Sequence, residues 1–404
     1  MARNRSQVAI QIQNGGIGGL VGTSDGVAGM ILSGISASGL ALNTAQKINS
    51  VNDARNLGID ESFDTSNNVK AFDNIREFYN EAGTGKELWI MLVSESESLT
   101  DICDFDGANP RVKELLDSAS GKIRILGVQR SPASGYSPTI TEGIDSDVYT
   151  AATELQTTLT NFEGEFRPCV GILDGLAFND SITDLKDLQT LTENKIGICL
   201  ANTDEDAATN EFKSTSIGAV VGKFAGIPVQ RSIGRVKDGS LNNKNYHLGS
   251  TSYEVLTTSD MDTLSNKGYI YARPYIGKDG AYFDSDPTAT VVTDDYNTIS
   301  RNRVINKAIE LAYATYVNEL NDEVVTNADG TLPIAAATYY QGLVETQIGI
   351  QMENTGEISA FSVFVDPSQN VVVSGELVVE ITIVPVGINN KITVKLGFSS
   401  SLNS

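Results

Sequence analysis

The stretch GELVVEITIVPVGINNKITVKLGF, which runs from Gly375 to Phe398, contains the clearest strand patterns of the sequence. Its first half, Leu377 to Val384, is almost wholly apolar and β-branched, and a Pro-Val-Gly break follows it. Its second half alternates, with Ile392, Val394, Leu396 and Phe398 on one face of an extended chain and Lys391, Thr393 and Lys395 on the other. This period of two predicts two β-strands, of which the second is half-buried.

A shorter pattern of the same kind lies near the amino terminus, where Val8, Ile10 and Ile12 alternate with glutamines. Five glycines follow it between residues 15 and 22, and Val21 breaks the G-x-G-x-x-G spacing of a dinucleotide site. A flexible hinge is the better interpretation of this run. Strands beside both termini fit two arrangements: arms that pair with the sheets of neighbouring molecules, or edges that close the protein's own sheet.

The charge balance argues against several classes of function. The 404 residues include 29 Lys and Arg but 51 Asp and Glu, for a net charge of −22. Nucleic acids and anionic membranes need clustered positive charge, so we expect neither as a partner. The sequence has no apolar run of roughly 18 residues for a membrane span, and its start lacks the apolar core of a secretory signal. Synthesis in a reducing cytosol is therefore expected.

Residues 62–236 alternate between continuous apolar strands and amphipathic helices. Strands are predicted over Leu88–Val93, Ile123–Val128, Cys169–Leu173 and Ile196–Leu200, and helices over Val69–Tyr79, Val112–Leu116, Val148–Leu159, Leu185–Leu191 and Thr215–Ala225. Buried strands joined by helices indicate a doubly wound parallel sheet with both faces covered. Residues 23–61 are small and polar, and we expect short strands and loops there.

Polar groups at the strand ends raise an alternative, an α/β-domain enzyme with an acidic site. Open parallel sheets bind ligands beyond the carboxyl ends of their strands, and those ends carry Ser94, Asp174, Asn202 and Asp204. The only histidine, His247, lies in a polar stretch, and no catalytic triad or metal-ligand spacing surrounds it. An enzyme is therefore disfavoured, and no metal or cofactor is expected. A non-contractile surface or adhesin protein is a further alternative, although the absence of a signal sequence counts against it.

The last third of the chain changes character. After a polar linker over residues 237–252 and a hairpin over Lys267–Phe283 comes the longest predicted helix, with apolar residues three or four apart between Ile305 and Leu320. A second helix over Ala337–Met352 and a strand over Phe361–Asp366 follow. The long helix begins with Arg301, Arg303 and Lys307, which indicate either a solvated face or a contact with a partner.

Three segments of this region resemble contractile tail sheath proteins. TDDYNTISRNRVINKA, residues 293–308, is similar to the segment that enters the long helix of that family. FSVFVDPSQN, residues 361–370, together with Gly375–Phe398, resembles the family's C-terminal module, and GKFAGIPVQRSIGRV, residues 222–236, resembles the exit from its outer domain.

The resemblance implies an α+β fold: a sheath-type inner α/β module built from the N-terminal and C-terminal regions, an inserted doubly wound α/β outer domain, and extended strand arms at both termini. The implied divisions are residues 1–22 (N-terminal arm and glycine hinge), 23–61 (first part of the inner domain), 62–236 (outer domain), 237–387 (inner, tube-facing domain) and 388–404 (C-terminal arm).

The function implied by the resemblance is structural. Subunits would polymerise as stacked six-membered rings around an inner tube through β-strand exchange, and would contract to drive the tube through a target envelope. The partners would be other copies of the chain, the tube protein, and baseplate and tail-terminator proteins, within a virion tail or phage-tail-like particle. The implied site residues are the arm residues Val8, Ile10, Ile12, Ile392, Val394, Leu396 and Phe398; the arm-accepting residues Leu377, Val379, Ile381 and Ile383; and the tube or neighbour contacts Arg301, Arg303 and Lys307.

Overall fold

The computed structural model describes residues 24–203 and 211–398. The predicted arm residues Val8, Ile10 and Ile12, and Asp204 of the acidic alternative, lie outside these ranges. The strands are β1 (Ala28–Gly34), β2 (Ala45–Ile48), β3 (Leu88–Ser94), β4 (Ile125–Gln129), β5 (Ile140–Thr141), β6 (Ile144–Asp145), β7 (Val170–Asp174), β8 (Thr192–Glu193), β9 (Ile196–Cys199), β10 (Ala201–Asn202), β11 (His247–Leu248), β12 (Thr251–Ser252), β13 (Ala272–Tyr275), β14 (Lys278–Phe283), β15 (Ala289–Thr290), β16 (Ile358–Phe364) and β17 (Glu380–Pro385).

The α-helices are α1 (Val51–Asn56), α2 (Glu61–Asn67), α3 (Ala71–Ala82), α4 (Leu99–Cys103), α5 (Arg111–Ser118), α6 (Ser146–Gly164), α7 (Ile217–Gly226), α8 (Thr258–Lys267), α9 (Ile299–Tyr316), α10 (Ile334–Ile348) and α11 (Val371–Ser374). A π-helical turn, Gly349–Glu353, continues α10. The helix predicted over Leu185–Leu191 is only the 3₁₀ turn Leu188–Thr190.

A six-stranded sheet in the order β2-β3-β1-β4-β7-β9 forms the body. All of its neighbouring strands are parallel except the edge strand β2, which runs antiparallel to β3. Side chains of β1 alternate between two cores: Met30 and Leu32 pack with α3 and α7, whereas Ile31 packs with α4, α5 and α6. The predicted doubly wound sheet with both faces covered is thus present.

The predicted limits of that domain are wrong. Residues 23–61 contain β1, which pairs with both β3 and β4 in the middle of the sheet and is buried along its whole length. Gly29 belongs there because a Cβ atom at that position would lie 2.8 Å from the Ile123 side chain. Leu241, Tyr246 and Phe283 also pack into this core. The α/β body therefore begins before residue 62 and continues well beyond residue 236.

The C-terminal module consists of α9, α10 and the antiparallel pair β16–β17, in which Phe361 lies opposite Ile383. Leu311, Val344 and Met352 are fully buried in its main core. A smaller core contains Leu332, Ala337, Tyr340 and Val365. β17 begins at Glu380 rather than at Leu377, and residues 386–398 form no strand within this chain.

Candidate assembly surface

Exposed apolar side chains are concentrated in the C-terminal module. Of the twenty-six large apolar side chains that are exposed among the described residues, eighteen lie between Tyr313 and Phe398. Single exposed apolar residues are ordinary on a protein surface, but a concentration of this kind is typical of surfaces that bind another protein, a membrane or a ligand.

The C-terminal segment, residues 386–398, is the most exposed part of this surface. Ile392, Val394, Leu396 and Phe398 are 78%, 70%, 92% and 111% exposed. The four predicted arm residues are therefore not buried against the described part of their own chain. Their insertion into a neighbouring sheet remains a prediction.

The predicted arm-accepting residues lie along β17 and the segment before it. Val379, Ile381 and Ile383 are half-buried against the main core of the module, and Leu377 is half-buried against the smaller core. Among the described residues β16 and β17 form a sheet of two strands, so each strand has one edge without a strand partner. Such edges present unpaired N–H and C=O groups on which another strand can pair.

The basic residues of α9 lie in different environments. Arg301 is exposed and donates to the side chain of Asn297 at 3.0 Å. Arg303 is 3% exposed and donates to the backbone carbonyls of Asp25 and Ile227 at 3.3 and 3.2 Å. Burial lowers the pKa of Arg303 to about 10.

Lys307, one turn further along α9, is 6% exposed and forms ion pairs with Asp25 at 2.8 Å and Glu357 at 2.7 Å. Burial alone would lower the pKa of Lys307, but its hydrogen bonds to the two carboxylates raise it overall. Burial also raises the pKa of Glu357. The assignment of Arg303 and Lys307 to a solvated or tube-facing surface is thus incompatible with the structure, and contact with a tube remains a prediction only for Arg301.

Glu310 extends the same face of α9, because residues three and four apart are neighbours on a helix. It pairs with Arg124 at 3.0 Å and accepts from the Ser24 hydroxyl at 2.9 Å. The polar face formed by Arg303, Lys307 and Glu310, here called the α9 junction, joins the first described residues, the α/β body and the C-terminal module. Sequence reasoning missed it, although the regular spacing of three charges on one helix face was a signal.

Two of the strand-end groups of the enzyme alternative, Asp174 and Asn202, are buried. Asp174 is fully buried and accepts hydrogen bonds from the backbone N–H groups of Arg130 and Thr215 at 3.2 and 2.8 Å, and from the Thr215 hydroxyl at 2.9 Å. Burial raises its pKa to about 7. Asn202 donates to the carbonyl of Gly249 at 3.1 Å.

The two cavities beside Ser214 at this edge measure about 10 Å³ each, about enough for one water molecule. Asp174 therefore holds the loop at Thr215 in place, and the described residues around it leave no substrate-sized space. Within residues 24–203 and 211–398, no cluster of three or more His, Cys, Asp or Glu has the arrangement of a metal site. No helix in these ranges has the length and apolar character of a membrane span.

Two family profiles match the chain: DUF2586, N-terminal domain, over residues 5–286, and DUF2586, C-terminal domain, over residues 295–403. Their boundary falls just before α9, where the α/β body gives way to the C-terminal module. A search of curated proteins found no significant match.

Solved structures match almost the whole chain. The helical sheath of the anti-feeding prophage (AFP) in its contracted state has a TM-score of 0.62 at 13% identity, over 98% of this chain and 99% of that one. The contracted sheath complex of an extracellular contractile injection system, PVC, has a TM-score of 0.61 at 12% identity, over 99% of both chains. A sheath tail protein from Desulfitobacterium hafniense has a TM-score of 0.52 at 10% identity, over 94% of this chain and 100% of that one. The chain belongs to the DUF2586 family, and the resemblance to contractile sheath proteins is confirmed by its fold.

Proposed function

We propose that this chain is the structural subunit of a contractile tail sheath in a virion tail or tail-like particle. It polymerises as stacked six-membered rings around an inner tube and contracts to drive that tube through a target envelope. The observation that carries the proposal is the match to two contracted sheaths over 98% or more of the chain.

Strand exchange is the proposed means of polymerisation. The C-terminal segment and the N-terminal segment with Val8, Ile10 and Ile12 would add strands to the open edges of a neighbour's β16–β17 sheet. A contact of this kind between different surfaces does not close on itself, and it therefore builds a helical polymer.

The energetics favour a lattice over a pair of subunits. Burial of Ile392, Val394, Leu396 and Phe398 contributes about 6–12 kcal/mol, and ordering of about nine residues costs about 13 kcal/mol. The free energy gained from apolar burial alone nearly balances the entropic cost of ordering the strand. Hydrogen bonds along the added strand and a second arm must then favour assembly, which makes exchange cooperative across many copies.

The further proposed partners are the inner tube, the baseplate and the tail terminator, with assembly in the bacterial cytoplasm. Arg301 is the candidate tube contact, since it is the exposed basic residue of the three at the start of α9.

Deletion of residues 1–13 tests the proposal. The truncated chain should stay soluble and folded by circular dichroism, because the glycine run after residue 14 separates this alternating stretch from the rest of the sequence. It should yield no polymer by sedimentation and negative-stain microscopy under conditions in which the full chain polymerises. Normal polymers from the truncated chain would contradict an assembly role for the N-terminal arm.

A further inference from the structure

The charges of the C-terminal module are separated along the chain. Residues 308–385 contain eleven Asp and Glu and no Lys or Arg. Residues 386–398 contain Lys391 and Lys395 and no acidic residue. The part of the module that follows Lys307 therefore carries strong negative charge, and the extended segment that leaves it is positive.

An open groove lies on this acidic module, between the end of α9, the loop that follows it, and the segment that leads into β17. It encloses about 760 Å³. Its apolar lining includes Tyr316, Leu332, Tyr340, Leu377 and Val379.

Three acidic residues also line the groove: Glu319, Asp322 and Glu376. Asp322 and Glu376 are exposed, and Glu319 is half-buried. No described Lys or Arg forms an ion pair with any of the three. The groove thus combines an apolar lining with negative charge that the described part of the chain leaves without cations.

The C-terminal segment has the complementary chemistry. Its apolar face matches the apolar lining, and its lysines lie on the opposite face, from which their long side chains can extend to acidic groups at the margins. The N-terminal segment suits the groove less well, because its cations Arg3 and Arg5 precede the alternating run, whose second face carries glutamines.

The geometry favours docking between copies. β17 starts beside the groove at Glu380 and ends at Pro385, so the chain leaves the sheet in the direction away from the groove. The thirteen residues 386–398 can extend up to about 43 Å from that point. Residues 391–398 do not fold back onto the described part of their own chain, since Ile392, Val394, Leu396 and Phe398 are at least 70% exposed.

We propose that the groove binds residues 391–398 of a second copy of this chain, and that Lys391 and Lys395 are held by Asp322, Glu376 and Glu319. The proposal rests on the proposed sheath function and adds the location of the receptor and an electrostatic criterion for its occupant. Because the charges lie near solvent, the contact should weaken as salt concentration rises.

A charge exchange between two variants tests the proposal. The double substitution Asp322→Lys/Glu376→Lys reverses the charge of the groove, and Lys391→Glu/Lys395→Glu reverses the charge of the C-terminal segment. Each variant alone should need at least a tenfold higher protein concentration to polymerise in low salt. An equimolar mixture should recover to within threefold of the wild type, because every segment then meets a groove of opposite charge in the other variant.

Asp262→Lys/Glu353→Lys is the matched control. It reverses one Asp and one Glu at exposed positions outside the groove and should polymerise within threefold of the wild type. All the variants should melt like the wild-type chain, since the altered side chains are exposed.

Three results would overturn the groove assignment. The first is that either reversed variant polymerises like the wild type. The second is that mixing fails while a single chain with all four substitutions polymerises, which would place the segment in its own groove. The third is that Arg3→Glu/Arg5→Glu, rather than the lysine variant, rescues the reversed groove. Deletion of residues 386–404 tests the proposed strand exchange separately from the proposed groove. If the deletion abolishes polymer while the charge variants polymerise normally, strand exchange by the C-terminal segment is supported and its binding in the groove is contradicted.

Discussion

Lys307→Met at the α9 junction removes a buried cation while it keeps most of the side-chain volume. Lys307 binds Asp25 at 2.8 Å and Glu357 at 2.7 Å. Removal of one partner from a buried ion pair typically costs about 3–5 kcal/mol because the other charge stays buried. The Glu357 side chain is 9% exposed, but that of Asp25 is 26% exposed and recovers some hydration. We therefore expect Lys307→Met to lower the free energy of unfolding by about 3 kcal/mol, near the lower end of this range.

The loss should depend on pH. Burial already raises the pKa of Glu357, and removal of the ammonium group raises it further. A carboxyl group whose pKa is raised in the folded state contributes stability at low pH that is lost as the pH rises through that pKa. The deficit of Lys307→Met should accordingly be smaller at pH 5 than at pH 8. Urea unfolding followed by circular dichroism at both pH values measures it.

Arg301→Met is the matched control on the same helix. Arg and Met have similar helix propensities, and Arg301 is exposed with one hydrogen bond to Asn297. Its loss should change the unfolding free energy by less than about 0.5 kcal/mol. If Lys307→Met costs no more than this control, the α9 junction does not stabilise the chain as argued.

Three more outcomes are expected. Val394→Asp should leave the melting temperature of the free chain unchanged, since Val394 is 70% exposed, but it should abolish polymer because it buries an unpaired carboxylate between subunits. Lys395→Ser should change the free energy of unfolding by less than about 0.5 kcal/mol. Thermal melting of the free chain and the yield of polymer are measured for both variants. Burial raises the pKa of Asp174 to about 7. The free energy of unfolding should therefore fall as the pH rises from about 4 to 7, by up to about 1.4 kcal/mol per pH unit. Asp174→Asn should make this dependence on pH weaker when both chains are unfolded in urea. The fragment 62–236, which lacks β1, should be unfolded by circular dichroism, whereas residues 24–290 should fold.

Local sequence patterns predicted four of the six strands in the sheet of the α/β body. β3, β4, β7 and β9 were recognisable because each is a continuous apolar run, which is typical of a parallel strand buried on both faces. β1 was missed because Gly29 interrupts its apolar pattern. The reason for that glycine, the close approach of Ile123, is a tertiary contact that no local pattern reveals.

The charged residues of α9 show a different limit. The spacing of Arg303 and Lys307 in the sequence is typical of a solvated helix face. Their partners Asp25 and Glu357 are distant in the chain, so only the folded structure reveals these contacts. The C-terminal strand shows the opposite case. Its alternation was clear in the sequence, but its proposed partner is another copy of the chain, which one sequence does not reveal.

Cryo-electron microscopy of particles assembled from the full chain is the clearest test of the proposed sheath role and of strand exchange. We expect a helical polymer of six-membered rings in which residues 391–398 of each subunit lie in the C-terminal module of a neighbour, beside β17. A chain that stays monomeric under all assembly conditions, or a polymer in which residues 391–398 pack on their own subunit, would contradict it.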